Sequence, residues 1–327
     1  PLPWAISSAE GFARGGVSIL AATGVVDTLV FGSECGNAAK LQRAAKALLR
    51  ADFPDALREE LAKGLSFAAA RESAARALIG EDAAVLREPN DILGVEYCKA
   101  LLQSGSTIAP LAILRKVVGH NGGAAKGFAS ASHIRELLTN GEDASAYLTA
   151  ESAAIYAREC AAGRAPVTMA NAERAILARL RAMREEDFAP FDGGGEGLYH
   201  RFYDAVQRET TIDGILDAAK SKRYAYARLR RLLLAAYLGV TPEDIPQRVP
   251  YLRVLACNAR GREVLRCMKT TAAAPVLTRS ADVRRLDAGA QRLFALTARA
   301  EEQYVLAYPD LAAARPGSAW TTDPVIL

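Results

Sequence analysis

The stretch Gly24-Val25-Val26-Asp27-Thr28-Leu29-Val30-Phe31-Gly32 decides the fold. It is an apolar, β-branched run ending in Gly-Ser, the pattern of a buried strand passing into a loop. Outward from it the pattern changes to helix. Ala9 to Ala21 reads as helical before it; Ala38 to Leu49, Asp55 to Lys63, Phe67 to Ile79 and Ile92 to Gln103 do so after it. Thr107 to Val118 then has the composition of a second buried strand, bent or at an edge near Pro110. Helices alternating with buried strands specify an α/β layer on a mostly parallel sheet.

From about Pro166 the strand signals fade. Asn171 to Glu185 is helical, Gly193-Gly194-Gly195 reads as a flexible joint, and Glu196 to Leu238 supplies further helices before Pro242, Pro246 and Pro250 punctuate the chain. This divides the protein into 1–165, an α/β domain, and 166–327, a mainly helical one. Charge divides it in the same way. Up to residue 165 there are 17 Lys and Arg against 18 acids, a net of −1; from 166 the count is 24 against 19, a net of +5. Residues 201–285 alone carry 17 against 8, a net of +9. A basic segment beside a neutral one suggests a polyanion-binding module, the plainer alternative being a solvated basic surface.

Several classes are excluded. With 50% hydrophobic residues over 327 positions, the chain has ample material for folded domains and is not disordered as a whole. No apolar run reaches the roughly 18 residues of a membrane span, since Arg230 and Arg231 interrupt the most apolar stretch. Five cysteines, odd in number and without a CxxC, indicate neither a disulfide framework nor zinc, and a reducing, cytoplasmic setting fits. His120, His133 and His200 lack metal-ligand spacing, and neither G-x-S-x-G nor G-x-x-x-x-G-K-[ST] occurs.

Three places can carry chemistry. At Phe31-Gly32-Ser33-Glu34-Cys35-Gly36, a strand ends in a glycine that lets a flat group approach the backbone, although an ordinary turn reads the same way. In Ser130-Ala131-Ser132-His133-Ile134-Arg135, a capping serine, free helix N–H groups and Arg135 on the face of Ser132 can gather an anion, with Arg115 as a second cation; a plain N-cap beside a surface Arg is the alternative. In Lys220 to Leu234, a continuous helix places Lys220, Arg223, Arg230 and Arg231 in one sector opposite Leu229, Leu232, Leu233 and Ala236. Interleaved Tyr224 and Tyr226 suit stacking on nucleic acid, or else belong to the core.

In this order the segments resemble the tRNA(Met) cytidine acetate ligase family. The resemblance runs through Ser8-Ala9-Glu10-Gly11-Phe12-Ala13-Arg14-Gly15-Gly16-Val17, Phe31-Gly32-Ser33-Glu34, Pro89-Asn90-Asp91-Ile92-Leu93-Gly94-Val95-Glu96-Tyr97 and the SASHIR segment. It continues in Lys222-Arg223-Tyr224, Arg228-Leu229-Arg230-Arg231, Pro250-Tyr251-Leu252-Arg253-Val254-Leu255 and Thr321-Thr322-Asp323-Pro324. It implies a Rossmann-like nucleotidyltransferase domain followed by a helical tRNA-binding domain. It further implies an ATP-dependent ligase that forms acetyl-adenylate and acetylates the wobble cytidine of elongator tRNA(Met), with no DNA or membrane partner.

By matching position, Gly32, Asn90 and Arg115 become ATP contacts, with Arg115 catalytic, and Ser130, Ser132 and Arg135 occupy the place of a phosphate motif. Lys220, Lys222, Arg223, Tyr224, Arg228, Arg230 and Arg231 become the tRNA contacts, and Mg²⁺ is the default companion of ATP. Such enzymes also carry an Asn-Pro-Phe-His-x-Gly-His type segment near their N-terminus, which this sequence lacks; it opens on Pro1-Leu2-Pro3-Trp4. The expectation is therefore a first domain truncated at its N-terminus and a chain catalytically impaired as given. A non-catalytic tRNA-binding protein on a degenerate nucleotidyltransferase fold is the alternative. A small-molecule adenylyltransferase leaves the +9 segment without a role.

Overall fold

The computed structural model describes residues 2–115, 124–125, 128–192, 197–221 and 224–327. They form an α/β protein of two compact units, each assembled from separated stretches: Pro1–Lys116, Pro246–Arg279 and Pro324–Leu327 in the first, Val117–Ile245 and Ser280–Asp323 in the second. These units are defined by packing, whereas the boundary at 165/166 is the one expected from composition and charge.

In the first unit the strands Thr28–Ser33 and Ala109–Leu114 pair in parallel, with Gly32 opposite Ile113 and Ser33 opposite Leu114. Between them the chain runs through the helices Ala38–Leu48, Phe53–Ala62, Phe67–Ile79 and Pro89–Ser104. Leu41, Ala44, Ala45, Phe53, Ala74, Val85, Val95 and Cys98 form the core, and Phe31 and Ala112 pack against it from the sheet. Gly94 allows this closeness: a Cβ there would lie 2.7 Å from the Phe31 ring and 2.9 Å from Leu41.

The strands are not buried on both faces, as the run of apolar residues suggests. Val30 is 49% exposed, Leu111 50% and Ile113 56%. Exposure alternates along the first strand because residues facing the helices are covered and their neighbours are not.

The stretch 246–279 is tied to the helix Ala9–Thr23. Val249 N–H donates to Ser18 Oγ at 3.0 Å, Ala273 N–H to the Ala22 carbonyl at 2.8 Å and Thr271 Oγ1 to the Thr23 carbonyl at 3.0 Å. Gly24 ends that helix at φ +66°, where a Cβ would stand 2.3 Å from the Thr271 carbonyl oxygen. Short parallel pairs join Leu252–Arg253 to Val276–Leu277 and Ala256–Cys257 to Val325–Ile326.

The second unit is helical. The helices Glu173–Arg181, Leu198–Arg208, Ile212–Ala219 and Tyr226–Leu238 enclose Ile176, Leu180, Phe188, Phe202, Ile215, Leu229 and Leu233. Gly119 to Gly123, including His120, and the Gly193-Gly194-Gly195 joint lie outside the described residues.

Candidate active site

Three pieces of the first unit meet at the carboxyl ends of the parallel strands: the loop 33–36, Arg115 immediately beyond the second strand, and the first turn of the Pro89–Ser104 helix. One buried carboxylate fixes the loop. Asp91, 2% exposed, accepts from the Ser33 hydroxyl and from the Cys35 N–H, whose distances to its two oxygens are 3.2 and 3.1 Å. Ser33 Oγ in turn accepts from Gly36 N–H at 2.9 Å.

Glu34 locks the same loop to the helix start. Its Oε1 accepts from Asn90 Nδ2 at 2.5 Å and its Oε2 from Asp91 N–H at 2.9 Å. Both carboxylates sit where unpaired first-turn N–H groups favour negative charge. Gly36 is required at the turn, since φ is +59° and a Cβ would lie 2.8 Å from Leu114 Cβ.

Arg115 is exposed and forms no ion pair among the described residues. Its N–H donates to the Ser33 carbonyl at 3.0 Å, and its side chain runs alongside Gly32. A Cβ on Gly32 would meet Arg115 Cγ at 3.5 Å and Nη1 at 3.9 Å. A flat or anionic group approaching the bare backbone of Gly32 therefore comes beside a free guanidinium. Such a cation stabilises charge that develops on a transferring group.

Gly32, Asn90 and Arg115 are thus brought together. Asn90 spends an amide N–H on Glu34, so it orders the loop. Ser33, Glu34 and Asp91, which lie in the segments quoted above but carried no role there, hold this geometry. The available signal was an acid just after a strand together with Asn-Asp following Pro at a helix start.

Ser130, Ser132 and Arg135 belong to the second unit. Ser130, 6% exposed, caps the helix Ala131–Asn140 by accepting from His133 N–H at 3.2 Å, and Arg135 Nη2 donates to Ser132 Oγ at 3.4 Å. The serines and the arginine share one helix start as expected, although the Ser130 oxygen is already occupied by the cap.

The basic stretch differs from a continuous helix. One helix ends at Ala219, Ser221 Oγ accepts from Tyr224 N–H at 3.2 Å, and the next helix begins at Tyr226. Leu229, Leu232, Leu233 and Ala236 are buried, as the spacing requires. Tyr224 is a core residue, 8% exposed, with the Arg228 guanidinium 5.2 Å from its ring centre. Arg228 also reaches buried Asp192, 3.3 Å to Oδ1 and 3.2 Å to its carbonyl.

Tyr224 is thus packed in the core, and Arg228 is engaged by its ring and by Asp192. Arg231 is half-buried; desolvation, and then the nearby Arg228 charge, pull its pKa below the ordinary value. Tyr226 stands between Lys220, 5.0 Å from its ring centre, and exposed Arg230, at 5.9 Å. Lys222 and Arg223 lie outside the described residues.

Among the described residues no group of three or more His, Cys, Asp or Glu could hold a metal ion. The carboxylates nearest Gly32, on Glu34 and Asp91, are engaged by N–H and O–H donors. The residues present do not fit a resident Mg²⁺.

Comparison with known proteins matches residues 1–317 to the HIGH nucleotidyl transferase family. A tRNA(Met) cytidine acetate ligase of Fervidobacterium nodosum is 34% identical over 85% of this chain and 67% of its own length. One of Acetivibrio thermocellus is 31% identical over 100% of this chain and 83% of its own. The crystal structure of Thermotoga maritima TmcAL bound with alpha-thio ATP superposes with a TM-score of 0.92 at 31% identity, covering 100% of this chain and 83% of that one.

Proposed function

The chain belongs to the tRNA(Met) cytidine acetate ligase family of HIGH nucleotidyl transferases, and on that premise we propose that it activates acetate with ATP and acetylates the wobble cytidine of elongator tRNA(Met). In the first step an acetate oxygen attacks the α-phosphorus of ATP, pyrophosphate leaves, and acetyl-adenylate forms. In the second, the exocyclic N4 of cytidine attacks the acetyl carbon, AMP leaves, the nitrogen loses a proton, and N4-acetylcytidine results.

The observation that carries this reading is Arg115 beside Gly32 at the carboxyl ends of parallel strands, where open α/β sheets bind ligands. Gly32 gives the nucleotide access to the backbone, Asn90 faces it from the helix start, and Arg115 stabilises charge on the α-phosphoryl group as pyrophosphate departs. Lys220, Arg230 and Arg231, with Lys222 and Arg223, meet the tRNA. Mg²⁺ in this reading arrives with ATP, because no group of the described residues could hold it.

The test is acetate-dependent release of pyrophosphate from ATP, together with nucleoside mass spectrometry of tRNA after the full reaction. Acetylation of elongator tRNA(Met) and of no other tRNA is expected. Absence of acetate adenylation sinks the proposal, and tRNA binding without it returns the non-catalytic tRNA-binding alternative.

A further inference from the structure

The exposed cationic face of the helix Ala259–Thr271 carries an assignment that the site above does not absorb. Residues 246–279 hold seven Lys and Arg against one acid, Glu263, a net of +6. The first segment of the same unit, 1–116, holds 13 against 13 and is neutral. Most of the +9 of residues 201–285 thus lies in the unit that bears Gly32, Asn90 and Arg115.

On this helix Arg262, Arg266 and Lys269 are spaced i, i+4, i+7. At about 100° per residue they fall within a sector of roughly 60°, and they span about 10 Å of axis. All three are exposed, and none is paired with a carboxylate among the described residues. Local stability does not account for them: the first turn holds Arg260 and Arg262 and no acid, where a helix favours negative charge.

Nor does packing explain the face. Of thirteen residues only Met268 is buried. The helix is nonetheless held at both ends, by Asn258 Oδ1 accepting from Gly261 N–H at 2.9 Å and by Thr271 bonded to the Thr23 carbonyl at 3.0 Å. A fixed rod that buries one side chain and presents a row of unpaired cations suits a regularly spaced polyanion. Solvated surface helices usually interleave acids with their bases, whereas this helix holds four bases against the single acid Glu263, which lies off the row.

We propose that Arg262, Arg266 and Lys269 form a docking face for the phosphate backbone of RNA, placing a tRNA contact on the nucleotide-binding unit itself. The inference rests on tRNA being the substrate, and it locates an RNA contact apart from the Lys220–Arg231 stretch. Phosphate contacts of this kind position the RNA without reading its sequence.

The experiment measures tRNA binding by the full chain across a salt series. It compares wild type, the R262E/R266E/K269E variant, and R58E/K63E, an equal-sign change at exposed cations of the Phe53–Ala62 helix and its end. Thermal melting of each confirms folding. The triple variant is expected to bind tRNA at least tenfold more weakly than R58E/K63E, with the slope of log K against log salt reduced by about two to three. ATP binding should be unchanged.

Unchanged affinity and slope, while wild type binds tRNA, overturn this proposal and leave the functional reading standing; an acidic protein partner would then be the better match for the face. If wild type binds no tRNA, the functional reading fails and this inference with it.

Discussion

Gly32 separates a demand of folding from a demand of chemistry. A methyl group there would touch Arg115 Cγ at 3.5 Å, an ordinary van der Waals distance, and the residue sits in extended strand without positive φ. Gly32→Ala should therefore fold with stability within about 0.5 kcal/mol of wild type, as substitutions away from strained or packed features usually do. It should nevertheless raise the KM for ATP several-fold, because the methyl occupies the approach to the backbone beside the guanidinium. Steady-state pyrophosphate release and urea unfolding read the two effects separately. A variant with normal KM removes Gly32 from the nucleotide site. Gly36 is the contrasting case: positive φ and the Leu114 Cβ at 2.8 Å make it a folding requirement, whatever binds nearby.

One element, the helix Pro89–Ser104, serves both site and core. Its first turn supplies Asn90 and Asp91, its second supplies Gly94 against Phe31, and its third supplies Glu96 and Lys99 to a buried ionic network. Arg71 pairs with Glu96, and Lys99 lies 2.9 Å from both Glu96 and Glu10 of the Ala9–Thr23 helix. The hydrogen bond from Lys99 holds the Glu10 carboxyl below its usual value of 4.5. A depressed acid gives stability that is present above the unfolded value and is lost as pH falls through the lower folded one. Glu10→Gln should accordingly flatten the fall in melting temperature below about pH 4.5. A melting curve as acid-sensitive as wild type would remove Glu10 from that linkage.

Most of this helix was legible in the sequence, as was Phe67–Ile79 in full, because period and caps are local signals. The ionic network was not, since Glu10, Arg71 and Glu96 come from three helices far apart in the chain. The basic stretch misled for a related reason: a helical wheel assumes continuity, whereas one helix ends at Ala219 and the next begins at Tyr226.

At the scale of the whole molecule, net charge along the sequence pointed to a polyanion, and packing distributes that charge over both units. Continuity in sequence suggested a neutral half and a basic half; packing places 246–279 and its +6 in the unit that bears Gly32 and Arg115. Parallel pairing of two-residue strands such as Leu252–Arg253 with Val276–Leu277 closes that unit, and runs so short leave no periodic signal to read.

The arrangement makes the two proposed half-reactions separable by mutation. In these proposals Arg115 belongs to adenylation and the Arg262, Arg266 and Lys269 face to RNA docking. Supplying chemically made acetyl-adenylate bypasses the first step alone. Under that condition Arg115→Ala should recover tRNA acetylation to near the wild-type rate, having lost at least tenfold with ATP and acetate. The R262E/R266E/K269E variant should remain slow at sub-saturating tRNA and approach wild type only as tRNA is raised. Failure of acetyl-adenylate to rescue Arg115→Ala would mean that the guanidinium also serves acetyl transfer, stabilising AMP as it leaves, and that one cation spans both steps.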